Sequence, residues 1–173
     1  MKILYIHGLD SSPTPEKLQI IRNYGHEVCA LHLNYREEPE CYNILLKFAQ
    51  DEQAQGIVGS SFGGFLGFWI AETLGLPCLL FNPALYFDNI PLTFDKNVAN
   101  CPARFVVLGD QDERVDPNLN WTFLKEVERP SCHQRVTRCQ WLAHQIDLET
   151  FDESVRWALP GFATSPNNPT DAQ

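Results

Sequence analysis

Ser61, Asp112 and His144 are the residues on which nucleophilic chemistry could rest. A serine hydroxyl is a poor nucleophile at neutral pH unless a base takes its proton and an acid orients that base. Ser61 is the centre of Gly59-Ser60-Ser61-Phe62-Gly63, a G-x-S-x-G pattern. Gly56-Ile57-Val58 before it reads as the end of a buried strand. Gly64 to Leu74 after it reads as a buried helix. A serine on a sharp strand-to-helix turn presents its Oγ at the top of a sheet. Gly59, Gly63 and Gly64 supply the room that so close a passage of helix past strand requires.

The acid is expected in the loop after a late strand. Phe105-Val106-Val107-Leu108 is such a strand, and the loop that follows is Gly109-Asp110-Gln111-Asp112-Glu113-Arg114-Val115-Asp116-Pro117. The G-x-x-D-x-x-V spacing selects Asp112 from four acids. Asp116, before Pro117, reads as a helix N-cap. Asp110 reads as a tie between the turn and backbone N–H groups. The base is expected after the last strand, where His144 precedes the final helix. His133 and His26 precede strands, at the opposite end of the sheet, and His32 lies within or near the end of the second strand. His7 competes, because it ends the first strand on the same side as Ser61. It also heads the loop His7-Gly8-Leu9-Asp10-Ser11-Ser12, which suits a different task. A tetrahedral intermediate needs backbone donors aimed at its oxyanion. The N–H of Phe62, next to the nucleophile, and that of Leu9 in this loop are the two expected donors, with His7 holding the loop.

Elements that could position these residues alternate along the chain. Strands are expected over Lys2–His7, Glu27–Leu33, Gln55–Gly59, Pro77–Phe81, Ala103–Leu108 and Gln134–Arg138. Helices are expected from Pro15 to about Tyr24, with Thr14 as N-cap, over Pro39–Gln50 and Phe62–Leu74, from Pro117 to about Glu126, and over Leu148–Leu159. Strands joined by helices of this length predict a mainly parallel sheet in an α/β/α sandwich. Uninterrupted apolar strands agree with cover on both faces. Residues 1–160 read as one domain. Residues 161–173, rich in Pro, Asn, Ser and Thr, read as a flexible tail.

Composition narrows the function classes. The chain has 173 residues, 13 Lys and Arg against 22 Asp and Glu, and a formal net charge of −9. That charge opposes binding to phosphate backbones and weakly disfavours anionic substrates, unless a local basic patch reverses the field. No segment approaches the ~20 apolar residues of a membrane span, and the N-terminus lacks a signal-peptide apolar region. A cytoplasmic protein with neither nucleic-acid nor membrane partners is expected. The six cysteines form no C-x-x-C and no zinc spacing, so reduced, mostly buried thiols and no metal are expected. Nucleotide-binding glycine motifs are also missing from the sequence.

The opening Ile3-Leu4-Tyr5-Ile6-His7-Gly8-Leu9-Asp10-Ser11-Ser12-Pro13, the elbow Val58-Gly59-Ser60-Ser61-Phe62-Gly63-Gly64 and the stretch Leu80-Phe81-Asn82-Pro83-Ala84 resemble the small single-domain α/β-hydrolases, and most closely the YqiA-like (UPF0227) esterases. The resemblance spans about residues 2–159. Ala143 stands where such families usually have Gly before the catalytic His. The resemblance implies a minimal α/β-hydrolase fold with six strands in the order 2-1-3-4-5-6 and no cap domain. It also implies serine esterase or thioesterase activity on short acyl groups, without a cofactor. Residues 82–101 stand where larger members carry a cap; their apolar side chains suit either a packed loop or an acyl-pocket flap. Two alternatives remain: acyl transfer to another acceptor through the same triad, or a binding protein without catalysis. The sequence leaves the oligomeric state and the physiological ester open.

Overall fold

A computed structural model describes residues 1–86, 102–130 and 132–163. Six strands form one sheet: β1 (Lys2–Ile6), β2 (Glu27–Ala30), β3 (Gly56–Ser60), β4 (Cys78–Phe81), β5 (Arg104–Gly109) and β6 (Gln134–Cys139). Their order is β2-β1-β3-β4-β5-β6, and every neighbouring pair is parallel. Five helices make the crossovers: α1 (Pro15–Asn23), α2 (Cys41–Asp51), α3 (Phe62–Leu74), α4 (Pro117–Glu126) and α5 (Leu148–Phe162).

The central strands are apolar at successive positions because both faces of the sheet are covered. Leu4, Ile6, Ile57, Leu80, Val106 and Leu108 pack with Leu45 of α2, with Phe65 and Phe68 of α3 and with Leu124 of α4. Their strand neighbours Ile3, Tyr5, Val58, Leu79, Phe105 and Val107 point the other way. They pack with Ile21 of α1 and with Phe151, Val155 and Leu159 of α5. Each fully buried side chain of this kind contributes about 1.5–3 kcal/mol.

Three expectations need correction. β2 stops at Ala30, which leaves His32 in the following loop. Helix α5 continues through Pro160 to Phe162. Phe162 is buried in the core, and at Gly161 any Cβ would collide with the Phe105 ring, so packing carries the helix past the proline. The structure thus draws the start of the expected tail into a helix; residues 164–173 lie outside the described residues. Third, Cys132 is disulfide-bonded, whereas Cys29, Cys41, Cys78 and Cys139 are free. Only residues 82–103 separate β4 from β5. In the segment weighed as packed loop or flap, Leu85 is buried and Tyr86 partly exposed, while residues 87–101 lie outside the described residues.

An ion pair sits in the core. The Arg104 side chain at the start of β5 is fully buried; its Nε and Nη2 donate to Glu72 Oε1 at 3.0 and 2.6 Å. Glu72 Oε2 accepts from Arg129 Nη2 at 2.7 Å. The Glu72 carboxylate therefore joins α3, β5 and the loop after α4.

Candidate active site

The chain reverses its direction of travel across the sheet between β1 and β3, and the loops at the carboxyl ends of these strands face each other there. Such switch points form natural crevices for ligands. Ser61 follows β3 directly. Its backbone lies at φ 55° and ψ −123°, a conformation costly to any residue with a Cβ. Surrounding bonds hold it there: its N–H donates to Phe81 O at 2.9 Å, and its carbonyl accepts from Phe65 N and Ala84 N. The turn is as crowded as the glycine pattern requires. A Cβ at Gly63 would strike the carbonyl oxygens of His7 and Ile6, and one at Gly59 would meet the Gly63 carbonyl.

Asp112 and His144 arrive from the ends of β5 and β6. His144 Nε2 lies 3.1 Å from Ser61 Oγ. Its Nδ1 lies 2.8 Å from Asp112 Oδ2 and 3.0 Å from Oδ1. The Asp112 carboxylate is fully buried, and Oδ1 also accepts from the N–H groups of Arg114 and Val115 at 2.8 and 2.9 Å. An ionised, acceptor-only carboxylate assigns the imidazole proton to Nδ1, leaving Nε2 as acceptor for the serine O–H.

The loop after β1 leans on the elbow. Gly8 passes so close that a Cβ there would sit 3.3 Å from Ser61 Cβ. Leu9 follows it and is 40% exposed; its N–H has no hydrogen-bond partner among the described residues. Phe62 opens α3, in the first turn, where N–H groups point out of the helix end. His7 is buried. With Nδ1–H donating to Gly8 O at 2.8 Å, its Nε2 accepts from Leu33 N at 3.2 Å. The Tyr35 hydroxyl donates to His7 O at 3.0 Å, and the His32 ring stacks on His7. Burial pushes the His7 imidazole below the usual histidine range, so it stays neutral and acts as a clamp between two loops.

The other acids and histidines stand apart from Ser61. Asp116 caps α4, accepting from Asn118 N at 2.8 Å. Asp110 departs from expectation: its carboxylate pairs with Arg138 instead of a backbone N–H. Glu113 is exposed, and His133 packs beside Phe105. His26 sits ahead of β2.

Sequence reading missed the role of Asn82. This buried residue directly follows β4, with φ 41°. Its Oδ1 accepts from Gly109 N at 2.7 Å, and its Nδ2 donates to the carbonyls of Ala143 and His144 at 2.8 and 3.3 Å. One side-chain amide thus ties the β5 loop that bears Asp112 to the loop that bears His144. Ala143 in place of Gly leaves this contact intact, because it is made by a backbone carbonyl. The only advance signal was an Asn-Pro pair at a strand end.

Among the described residues, no helix is long and apolar enough to cross a membrane, and no three His, Cys, Asp or Glu side chains are grouped as metal ligands.

Solved structures share this architecture. Esterase PE8 aligns with a TM-score of 0.71 at 16% identity, over 93% of this chain and 92% of that one. Est1E from Butyrivibrio proteoclasticus aligns at 0.68 and 14% identity, over 95% and 88%. YahD, solved with malic acid, aligns at 0.67 and 13% identity, over 93% of both chains. At these identities the likeness establishes the α/β-hydrolase fold. The profile of the "Uncharacterised protein family (UPF0227)" matches residues 2–154, and the chain belongs to that family.

Proposed function

We propose that the protein is a serine hydrolase that cleaves carboxylic esters or thioesters of short acyl groups through an acyl-enzyme on Ser61. The reading rests above all on one observation: His144 reaches Ser61 Oγ at 3.1 Å while its other nitrogen is held by the buried Asp112. The likeness in fold to a structure named as an esterase, PE8, agrees with it.

In this mechanism Ser61 Oγ attacks the carbonyl carbon as His144 Nε2 takes its proton. The electron pair of the C=O bond moves to oxygen, and the N–H groups of Leu9 and Phe62 stabilise that oxyanion. Collapse re-forms the carbonyl and breaks the bond to the alcohol or thiol, which leaves with the proton from His144. Water then attacks the acyl-enzyme with His144 again as base, releasing the acid and restoring Ser61. Asp112 keeps the proton on Nδ1 and stabilises the transient imidazolium.

Hydrolysis of 4-nitrophenyl butyrate tests the reading. Ser61→Ala and His144→Ala are each expected to lower kcat by several orders of magnitude, and Asp112→Asn by roughly 10⁴-fold. A Ser61→Ala enzyme with undiminished turnover would refute it.

A further inference from the structure

The cavity at Ser61 carries the opposite sign to the chain as a whole. Among the described residues that line it, Lys17 and Arg114 bear fixed positive charge, and none is acidic. In a chain of net charge −9, this is a local reversal of the field.

Both cations lack a salt bridge among the described residues, and Asp147 and Asp10, the acids that interact with them at longer range, are bonded elsewhere. Lys17, on α1, is half-buried, with Nζ 5.5 Å from the centroid of the Phe151 ring. Burial lowers its affinity for a proton, opposed by the charge of Asp147. Asp147 is already the cap of α5, accepting from Thr150 N and Oγ1 at 2.8 Å each. Arg114 stands two residues beyond Asp112, and its backbone N–H is fixed on the Asp112 carboxylate. Asp10, on which the Arg114 charge acts only weakly, is held by Nε and Nη2 of Arg36 at 2.6 Å each.

A third group is unsatisfied at the same place. Thr14 lines the cavity, and its Oγ1 is buried with no hydrogen-bond partner among the described residues. Thr14 precedes α1 in the N-cap position, yet its hydroxyl makes no capping bond. A buried unbonded hydroxyl and a partly desolvated ammonium are both costly without a ligand to answer them. The cavity measures about 110 Å³, small beside the ~300–1,000 Å³ of sites for drug-sized ligands. It suits a short acid better than a nucleotide-sized anion.

We propose that the ester taken at Ser61 carries a carboxylate, held by Lys17 and Arg114 with Thr14 beside them, as in a half-ester of a short dicarboxylic acid. This rests on the serine-hydrolase reading above and names its substrate class.

The test compares kcat/KM for charged and uncharged esters of similar size. 4-Nitrophenyl hydrogen succinate against 4-nitrophenyl pentanoate places the charge on the acyl side. 3-Acetoxybenzoate against phenyl acetate places it on the alcohol side. In at least one pair the wild type is expected to favour the anion by about tenfold or more, with the preference shrinking as salt is added. Lys17→Met and Arg114→Gln should each drive that ratio towards one, and Arg114→Lys should retain part of it. The ratio is taken within each variant, so a general loss of folded enzyme cancels. Ratios at or below one in both pairs, or ratios indifferent to both substitutions, would overturn the proposal. A fluorophosphonate added to the same preparations separates the two readings. Labelled Ser61 without charge preference removes the carboxylate proposal alone; unlabelled Ser61 removes both.

Discussion

Ser61 holds a left-handed backbone conformation that a Cβ makes unfavourable, and it is held there by three backbone hydrogen bonds. Strain of this kind costs about 1–3 kcal/mol. Replacing the serine by glycine should therefore raise thermal stability relative to Ser61→Ala, although both lose the proposed nucleophile. Melting temperatures of the two variants read this directly, and a Ser61→Ala protein at least as stable as Ser61→Gly would deny the strain. His7 makes a second prediction at this scale. Its folded-state proton affinity is depressed by burial, so the unfolded chain binds the proton more tightly. Its contribution to stability is present above the ordinary histidine range and is lost as pH falls through its lower folded value. His7→Gln should flatten the decline of melting temperature between about pH 7 and pH 5. The elbow and the order Ser61, Asp112, His144 were legible because each depends on short-range pattern. Glycines mark the crowded turn, Asp112 follows an apolar strand, and His144 stands between the last expected strand and the final helix. Asn82 was not legible as a brace, because its partners lie 27, 61 and 62 residues along the chain.

At the scale of elements, two side chains fasten pieces that local pattern leaves separate. Asn82 joins the ends of β4 and β5 to the loop of His144. Asn82→Ala would leave buried backbone groups unpaired and cost about 1–3 kcal/mol. As a positioning residue it should also lower kcat more than it raises KM, because the His144 loop loses its anchor while the pocket lining remains. A change confined to stability would limit Asn82 to a structural role. Glu72 fastens α3 to β5 through Arg104. Glu72→Ala strands a fully buried guanidinium and should cost about 3–5 kcal/mol by urea denaturation, with a smaller loss for Glu72→Gln. The strands themselves were legible from apolar runs. The burial of Arg104 was not, since a charged residue at a strand end ordinarily reads as an exposed boundary and its partner lies 32 residues earlier. Packing also overrode a local stop signal at Pro160, where Phe162 continues the core beyond the proline.

For the whole molecule, an all-parallel sheet with helices on both faces brings the carboxyl ends of β1, β3, β5 and β6 to one rim, and every residue of the proposed mechanism stands on that rim. The sandwich closes at its far end through Phe162, which packs on Gly56 at the start of β3. Phe162→Ala should cost about 3–5 kcal/mol although it lies far from the chemistry, and it should leave the kcat of the folded fraction unchanged. The parallel α/β architecture was legible from alternating strands and helices, whereas the strand order came from the resemblance to the α/β-hydrolases. The sign of the field at the rim was not legible, because Lys17 on α1 and Arg114 in the loop after β5 are far apart in the chain and the net charge pointed the other way. The proposed mechanism requires an activated Ser61, which a fluorophosphonate probe reads out. Wild type, Ser61→Ala and His144→Ala would be treated in parallel and the modified peptide found by mass spectrometry. One adduct is expected, on Ser61, formed by the wild type, abolished in Ser61→Ala and strongly slowed in His144→Ala. A folded wild type that remains unlabelled, or an adduct on another residue that persists in Ser61→Ala, would contradict it.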